Sequence, residues 1–139
     1  MDLPDEQLRE RFAGERVLRL GTADVEGRPH LVPATFAVLG DIVAIAVDHK
    51  PKRHSNLKRL RNIDANSAVT LLVDHFDEDW DQLWWVRADG DARVIENELA
   101  YELVDALVDK YEQYRERRPT GPVIKIQVNR WSGWVAKHE

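Results

Sequence analysis

Six short apolar segments separated by turns constrain this chain most strongly. They span residues 16–22, 30–39, 42–47, 68–73, 83–94 and 123–131. Gly40 and Asp41 form a tight turn between the second and third segments. Short strands in hairpins with few crossover helices favour an antiparallel barrel over a parallel nucleotide-binding sheet. The sequence therefore predicts a mainly β fold of six antiparallel strands with a few helices.

Three helices are expected beside these strands. The first runs from a cap at Asp2 to Gly14, the second covers residues 56–63, and the longest covers residues 98–117. The fourth strand segment, AVTLLV, is continuously apolar, which predicts a central strand. The fifth segment is expected to bend or bulge near Asp89 and Gly90.

Composition narrows the class of protein. We expect a single domain over residues 1–139, which is long enough to bury a core. The net charge of −5 argues against a general nucleic-acid binder, because such proteins gain affinity by neutralising many phosphates. No apolar run reaches the length of a membrane span, and the absence of cysteine excludes disulfides and thiolate chemistry. The N-terminus lacks the apolar core of a secretory signal, so a cytoplasmic protein is expected.

A basic segment after the third strand predicts an anion site. Lys50, Lys52, Arg53 and His54 crowd a short loop that contains Pro51, and a helix follows directly. The free N–H groups and the positive dipole end of that helix face the same loop, an arrangement that suits phosphate. The alternative is a solvated basic helix that covers a sheet.

The same helix has an apolar stripe formed by Leu57, Leu60 and Ile63. Its remaining positions are polar and are expected to face solvent. They are Lys58, Arg59, Arg61 and Asn62. Lys50, Lys58, Arg59 and Arg61 would extend positive charge outward beyond the phosphate pocket, which favours a polyanionic ligand.

The five tryptophans lie in two regions, around the fifth and sixth strand segments. Trp84 and Trp85 are adjacent in a strand and therefore point to opposite faces, so at least one lies outside the barrel interior. That residue needs a covering surface, which a second subunit or a flat aromatic cofactor would supply.

Metal and hydrolase chemistry are poorly supported. His49, His54 and His75 lie near acidic residues, but no HxxxH, HExxH or EF-hand spacing is present. No serine has a GxSxG context. We therefore expect no metal site, and we assign no catalytic residue.

The ordered motifs GRPHLVPATF, KPKRHSNLKRLRN and AVTLLVDHF resemble the pyridoxamine 5′-phosphate oxidase-like split barrels. Together with DEDWDQLWWVRADGDARV and PVIKIQVNRWSGW, they resemble the actinobacterial branch that uses the deazaflavin coenzyme F420. The resemblance implies a six-stranded split β-barrel homodimer with two cofactors in clefts at the dimer interface.

The resemblance also implies a cofactor site. Phosphate contacts fall on Lys52, Arg53, Ser55 and Asn56, where the basic segment independently predicts an anion site. The ring of the cofactor would lie along the backbone of two strand ends. These comprise Pro33, Ala34 and Thr35, and Val47, Asp48 and His49.

The expected activity is hydride transfer between reduced F420 and an unsaturated or conjugated small molecule, because deazaflavins carry the hydride themselves. Two alternatives stay open: a flavin mononucleotide (FMN) enzyme of the same fold, and a non-enzymatic protein that binds a cofactor or haem. The chain lacks a clear counterpart of the C-terminal substrate segment of true pyridoxamine 5′-phosphate oxidases. Candidate proton donors are Asp48, His49 and Tyr111.

Overall fold

A computed structural model describes residues 3–47 and 54–137, with only the backbone described for residues 54–57. Its strands are β1 (Leu18–Ala23), β2 (Pro29–Ala34), β3 (Ala37–Leu39), β4 (Ile42–Ala46), β5 (Ala68–His75), β6 (Trp84–Ile95) and β7 (Val123–Val135). Its helices are α1 (Asp5–Ala13), α2 (His54–Ala65), α3 (Tyr101–Lys110) and α4 (Glu112–Glu116). Short 3-10 turns cover Trp80–Gln82 and Asn97–Leu99.

The seven strands form one antiparallel sheet in the order β2-β1-β5-β6-β7-β4-β3. Its two edge strands, β2 and β3, are consecutive in the chain and are joined only by Thr35 and Phe36. The sheet must therefore curl until the end of β2 lies beside the start of β3, but β2 and β3 do not pair with each other in the described structure, so the sheet forms a half-barrel. The mainly β antiparallel prediction is confirmed, and β5 is central as expected, between β1 and β6.

The predicted count of six strands is wrong. Residues 30–39 were expected to form one strand, but β2 pairs with β1, whereas β3 pairs with β4. The chain changes neighbours at Thr35 and Phe36, and this change divides the segment into two strands. The Phe36 ring is fully buried and meets the Phe12 ring of α1 edge-on, 5.2 Å between centroids.

Two apolar clusters hold the layers together. The larger fills the concave side of the sheet, where alternate residues of β5 such as Leu71 and Val73 point inward and are buried. The smaller packs α3 against the other side of β3 and β4 through residues such as Val104 and Leu107. Strand β4 is buried on both faces for this reason.

The longest predicted helix is interrupted. Residues 98–117 form a 3-10 turn followed by α3 and α4, because Tyr111 between the two helices has an extended backbone (φ −119°, ψ 127°). Within the described ranges, no helix is long and apolar enough to cross a bilayer.

The expected irregularity in β6 is confirmed. The register between β6 and β7 shifts between Asp89 and Gly90. A Cβ at Gly90 would overlap the carbonyl oxygen of Gln127 on the neighbouring strand. The close approach of the two backbones at the bulge therefore requires glycine.

Gly90→Ala should destabilise the fold, because the obstacle is backbone and cannot rotate away. The expected loss is about 1–3 kcal/mol in the free energy of unfolding, measured by urea denaturation. Gly14→Ala is the matched control, since a Cβ there would lie 3.5 Å from the nearest atom, an ordinary contact. Equal stability of the Gly90→Ala variant and the control would show that the bulge tolerates a side chain.

Candidate functional site

The described part of the expected ring site lies at one end of the half-barrel. Pro33 and Ala34 end β2, Thr35 begins the bend, and Val47 directly follows β4. Ala37, the first residue of β3, pairs with Ala44 near the end of β4. The chain that leaves β2 therefore enters β3 at the end of the β3–β4 hairpin where β4 finishes. The backbone N–H of Val47 is occupied, since it donates to the Pro122 carbonyl at 3.0 Å.

Several expected cofactor residues lie outside the described residues. They are Asp48 and His49, expected beside the ring, and Lys52 and Arg53, expected at the phosphate. The other two phosphate residues, Ser55 and Asn56, fall in the first turn of α2, where the backbone alone is described. The helix begins at His54, slightly earlier than predicted.

Two tyrosines that bracket the start of α4 hold the bend between β2 and β3. The Tyr111 hydroxyl accepts a hydrogen bond from the Phe36 backbone N–H (3.2 Å) and donates one to the Arg16 carbonyl (2.8 Å). The Tyr114 hydroxyl lies 2.7 Å from the Thr35 hydroxyl. We call Tyr111 and Tyr114 the tyrosine clamp. It fixes the backbone at the point where the sheet changes neighbours.

The hydrogen bonds of the clamp argue against a role for Tyr111 as a proton donor. Its hydroxyl proton is already donated to the Arg16 carbonyl, and burial raises the pKa of Tyr111. Both observations favour a structural role for Tyr111.

Two cations pack against the clamp. The Arg16 guanidinium lies 4.6 Å from the Tyr111 ring centroid and donates to the Lys110 carbonyl at 3.0 Å. The Lys110 ammonium lies 3.7 Å from the Phe36 ring centroid and has no hydrogen-bond acceptor among the described residues. Burial, and secondarily the charge of Arg16, lower the pKa of Lys110 to about 8.

The prediction that the polar residues of α2 face solvent is partly wrong. Arg59 and Asn62 were expected to face solvent, but their exposed fractions are only 9% and 3%. Asn62 is buried because its side-chain amide donates to the hydroxyl of buried Thr22 on β1, at 3.0 Å. Burial lowers the pKa of the Arg59 guanidinium. Lys58 is half-buried, and Arg61 remains exposed as expected.

The convex side of the sheet carries an open pocket of about 600 Å³. Trp85 and Trp134 are cross-strand partners in its wall, and exposed Leu31 and Leu72 contribute further apolar surface. Trp84 also lines the pocket, but it packs against the inner core and stacks on His75. The prediction that one of the adjacent tryptophans lies outside the barrel interior is confirmed.

The described residues include no group of three or more histidine, aspartate or glutamate side chains placed to hold a metal ion. The described part of the candidate site consists of strand backbone, the clamp and the start of α2.

A family model for pyridoxamine 5′-phosphate oxidase matches residues 4–135, almost the whole chain. The chain belongs to the pyridoxamine 5′-phosphate oxidase family.

Solved structures share the fold of this family member at low sequence identity. A conserved hypothetical protein from Mycobacterium tuberculosis has a TM-score of 0.76 at 17% identity, with 98% of this chain and 87% of that chain covered. HutZ, the haem storage protein from Vibrio cholerae, has a TM-score of 0.69 at 18% identity, covering 94% and 93%. An FAD-binding protein from Mycobacterium smegmatis has a TM-score of 0.66 at 17% identity, covering 96% of each chain. No curated protein matches the sequence.

Sequence reasoning missed the clamp as a structural unit. The sequence predicted one continuous helix over residues 98–117 and suggested Tyr111 only as a candidate proton donor. The available signal was a pair of tyrosines three residues apart near the end of that helix, where a phenol can reach a neighbouring backbone.

Lys110 should make stability depend on pH in the alkaline range. Its pKa is about 8 in the folded protein, against 10.5 for an ordinary lysine, so between these values the unfolded chain binds the proton and the folded chain does not. The free energy of unfolding of the wild type should therefore rise from pH 8 to 10.5 relative to Lys110→Met, when both are measured by denaturant titration. Lys110→Arg, which stays charged, should lose the rise as well. Parallel curves for wild type and Lys110→Met would contradict the assignment.

Proposed function

We propose that this protein is an oxidoreductase of its family that binds coenzyme F420 and transfers a hydride between the reduced coenzyme and a conjugated small molecule. The observation that carries the proposal is the clamped bend. It brings the end of β2 and the end of β4 together at one end of the half-barrel, in a chain whose family is named for an oxidase. The basic segment 48–54 follows β4 directly and leads into α2.

The described residues fit a flat cofactor with an anionic tail. Strand β2 is an edge of the sheet, so within the described chain its outer N–H and C=O groups have no strand neighbour and are available to the polar rim of a ring. Helix α2 has 12 residues, enough for a developed dipole whose positive end faces the basic segment. Lys52, Arg53, Ser55 and Asn56 would bind the phosphate there. Pro33, Ala34, Thr35, Val47, Asp48 and His49 would line the ring.

The protein's part in the reaction is to bind and orient. When bound, reduced F420 supplies a hydride to one carbon of a conjugated double bond, while the displaced π electrons take a proton from water at the other end. Thr35 is held by Tyr114 beside the expected ring position, and Tyr111 keeps the adjoining backbone from moving. Rigid placement of this kind lowers the entropic part of the activation free energy of hydride transfer, without a dedicated acid or base.

The cofactor choice rests on charge near the start of α2. F420 continues past its phosphodiester into a polyglutamate tail, whereas FMN ends at its phosphate. Because Arg59 is buried, the outward extension of positive charge reduces to Lys50, Lys58 and Arg61. These residues still suit a polyanionic tail in a protein whose overall charge is −5.

Two alternatives have their own support. The FAD-binding protein of similar fold favours a flavin, with FMN as the cofactor of an otherwise equivalent site. The haem storage protein of similar fold favours a non-enzymatic role in binding a cofactor or haem. The chain offers no evident catalytic acid for the described part of the site, which is compatible with either alternative.

We also propose a homodimer, with the cofactor sites in clefts between subunits. Large apolar side chains that follow β5 are exposed, including Phe76 at 64% and Trp80 at 69%. Burying this surface against a second copy would stabilise the pair. Sedimentation velocity at micromolar concentration should give a single dimeric species, and a monomer would remove the intersubunit clefts from the account.

Alanine at Lys52 or Arg53 should weaken F420 binding about tenfold or more, because each removes a charged hydrogen bond to phosphate worth roughly 1.5–3 kcal/mol. Fluorescence titration of F420 measures the affinity. The melting temperature should change little, and Arg93→Ala, which removes an exposed arginine on β6, is the matched control. Unchanged affinity in both variants would return the basic segment to the role of a solvated surface.

F420 should bind more tightly than FMN at low ionic strength, and its advantage should shrink as salt is added, because exposed charge contacts are individually weak and screened. Paired titrations across a salt series test this. Lys58→Gln together with Arg61→Gln should reduce the advantage while leaving FMN binding unchanged. Tighter FMN binding at every salt concentration would favour the flavin alternative.

A further inference from the structure

The pocket on the convex face has the form of a site for a planar molecule. Its volume of about 600 Å³ falls in the usual range of ligand pockets, roughly 300–1,000 Å³. The indoles of Trp85 and Trp134 stand side by side on paired strands, and Leu72 lies one strand further. Aromatic and aliphatic walls of this kind favour a flat, apolar body.

The two ends of the pocket carry side chains of opposite charge. Arg19 is exposed and forms no ion pair or hydrogen bond with any described residue, whereas Arg87 is paired with Asp89 at 3.3 Å. Asp74 lines the other end, beside Trp85. An acidic substituent would therefore be attracted to Arg19 and repelled from the tryptophan end.

The pocket adjoins the proposed ring site. Arg19 is the register partner of Pro33, and Leu31 lies two residues before Pro33 on the same face of β2. Directly paired residues in a sheet lie about 5 Å apart. A molecule anchored at Arg19 would thus reach the strand end along which the ring is expected to lie.

We propose that this pocket is the acceptor site of the reaction proposed above, and that it takes a planar, conjugated molecule whose anionic group binds Arg19. The inference rests on the proposed function for its role, but the binding site itself is independent of the cofactor.

The test compares two fluorescent probes that share an aromatic body: anilinonaphthalene sulfonate, which is anionic, and phenylnaphthylamine, which is neutral. Both should bind the full-length protein without cofactor. Arg19→Gln should weaken the sulfonate about tenfold or more and leave the neutral probe unchanged. Trp134→Ala should weaken both, and Arg93→Gln, the exposed control outside the pocket, should affect neither. Saturating F420 should leave the sulfonate bound.

Three results would overturn the inference. Sulfonate affinity that is unchanged in Arg19→Gln would remove the anchor. Competition between F420 and the sulfonate would assign the pocket to the cofactor ring itself. Failure of both probes to bind, with Trp134→Ala converting dimers to monomers, would show that a second copy fills the pocket. If F420 does not bind but the sulfonate binds through Arg19, the proposed function fails and the acceptor role fails with it, while an anion site remains.

Discussion

One phenol links the parts of this fold that are far apart in sequence. The Tyr111 hydroxyl joins the carbonyl of Arg16, before β1, to the backbone N–H of Phe36, where the chain leaves β2 for β3. A buried N–H without an acceptor costs about 1–3 kcal/mol, so the bend depends on this bond. Since β2 and β3 are the two edges of the sheet, the bend also sets how far the half-barrel curls. Tyr114, three residues after Tyr111, holds the Thr35 hydroxyl and so fixes Thr35 at the bend.

The sequence predicts the local parts of this architecture well. Apolar periodicity placed every strand segment, the central position of β5 and the bulge at Asp89 and Gly90. It could not divide residues 30–39, because the division arises from a change of partner strand rather than from any breaker in the segment. Likewise, Tyr111 interrupts the helix 98–117 through a tertiary hydrogen bond that no local propensity encodes.

For the candidate site, the sequence shows the local charge but not the packing around it. The basic segment before α2 is visible in the sequence itself. The inward direction of Asn62 is not, because it depends on a hydroxyl forty residues away on β1 that satisfies a buried amide. Periodicity assigned Arg59 and Asn62 to solvent as polar residues, whereas α2 is placed so that both are covered.

The central claim is that a cofactor ring lies along the clamped bend with its phosphate at the start of α2. Hydrogen-exchange mass spectrometry with and without saturating F420 tests it most directly, because it reports on backbone across the whole chain. The account predicts slower exchange in residues 30–36 and 47–57. Two results would contradict it. One is protection confined to a second groove, which is lined by residues including Ser67, Asp91 and Lys125. The other is no protection in either range while F420 is demonstrably bound.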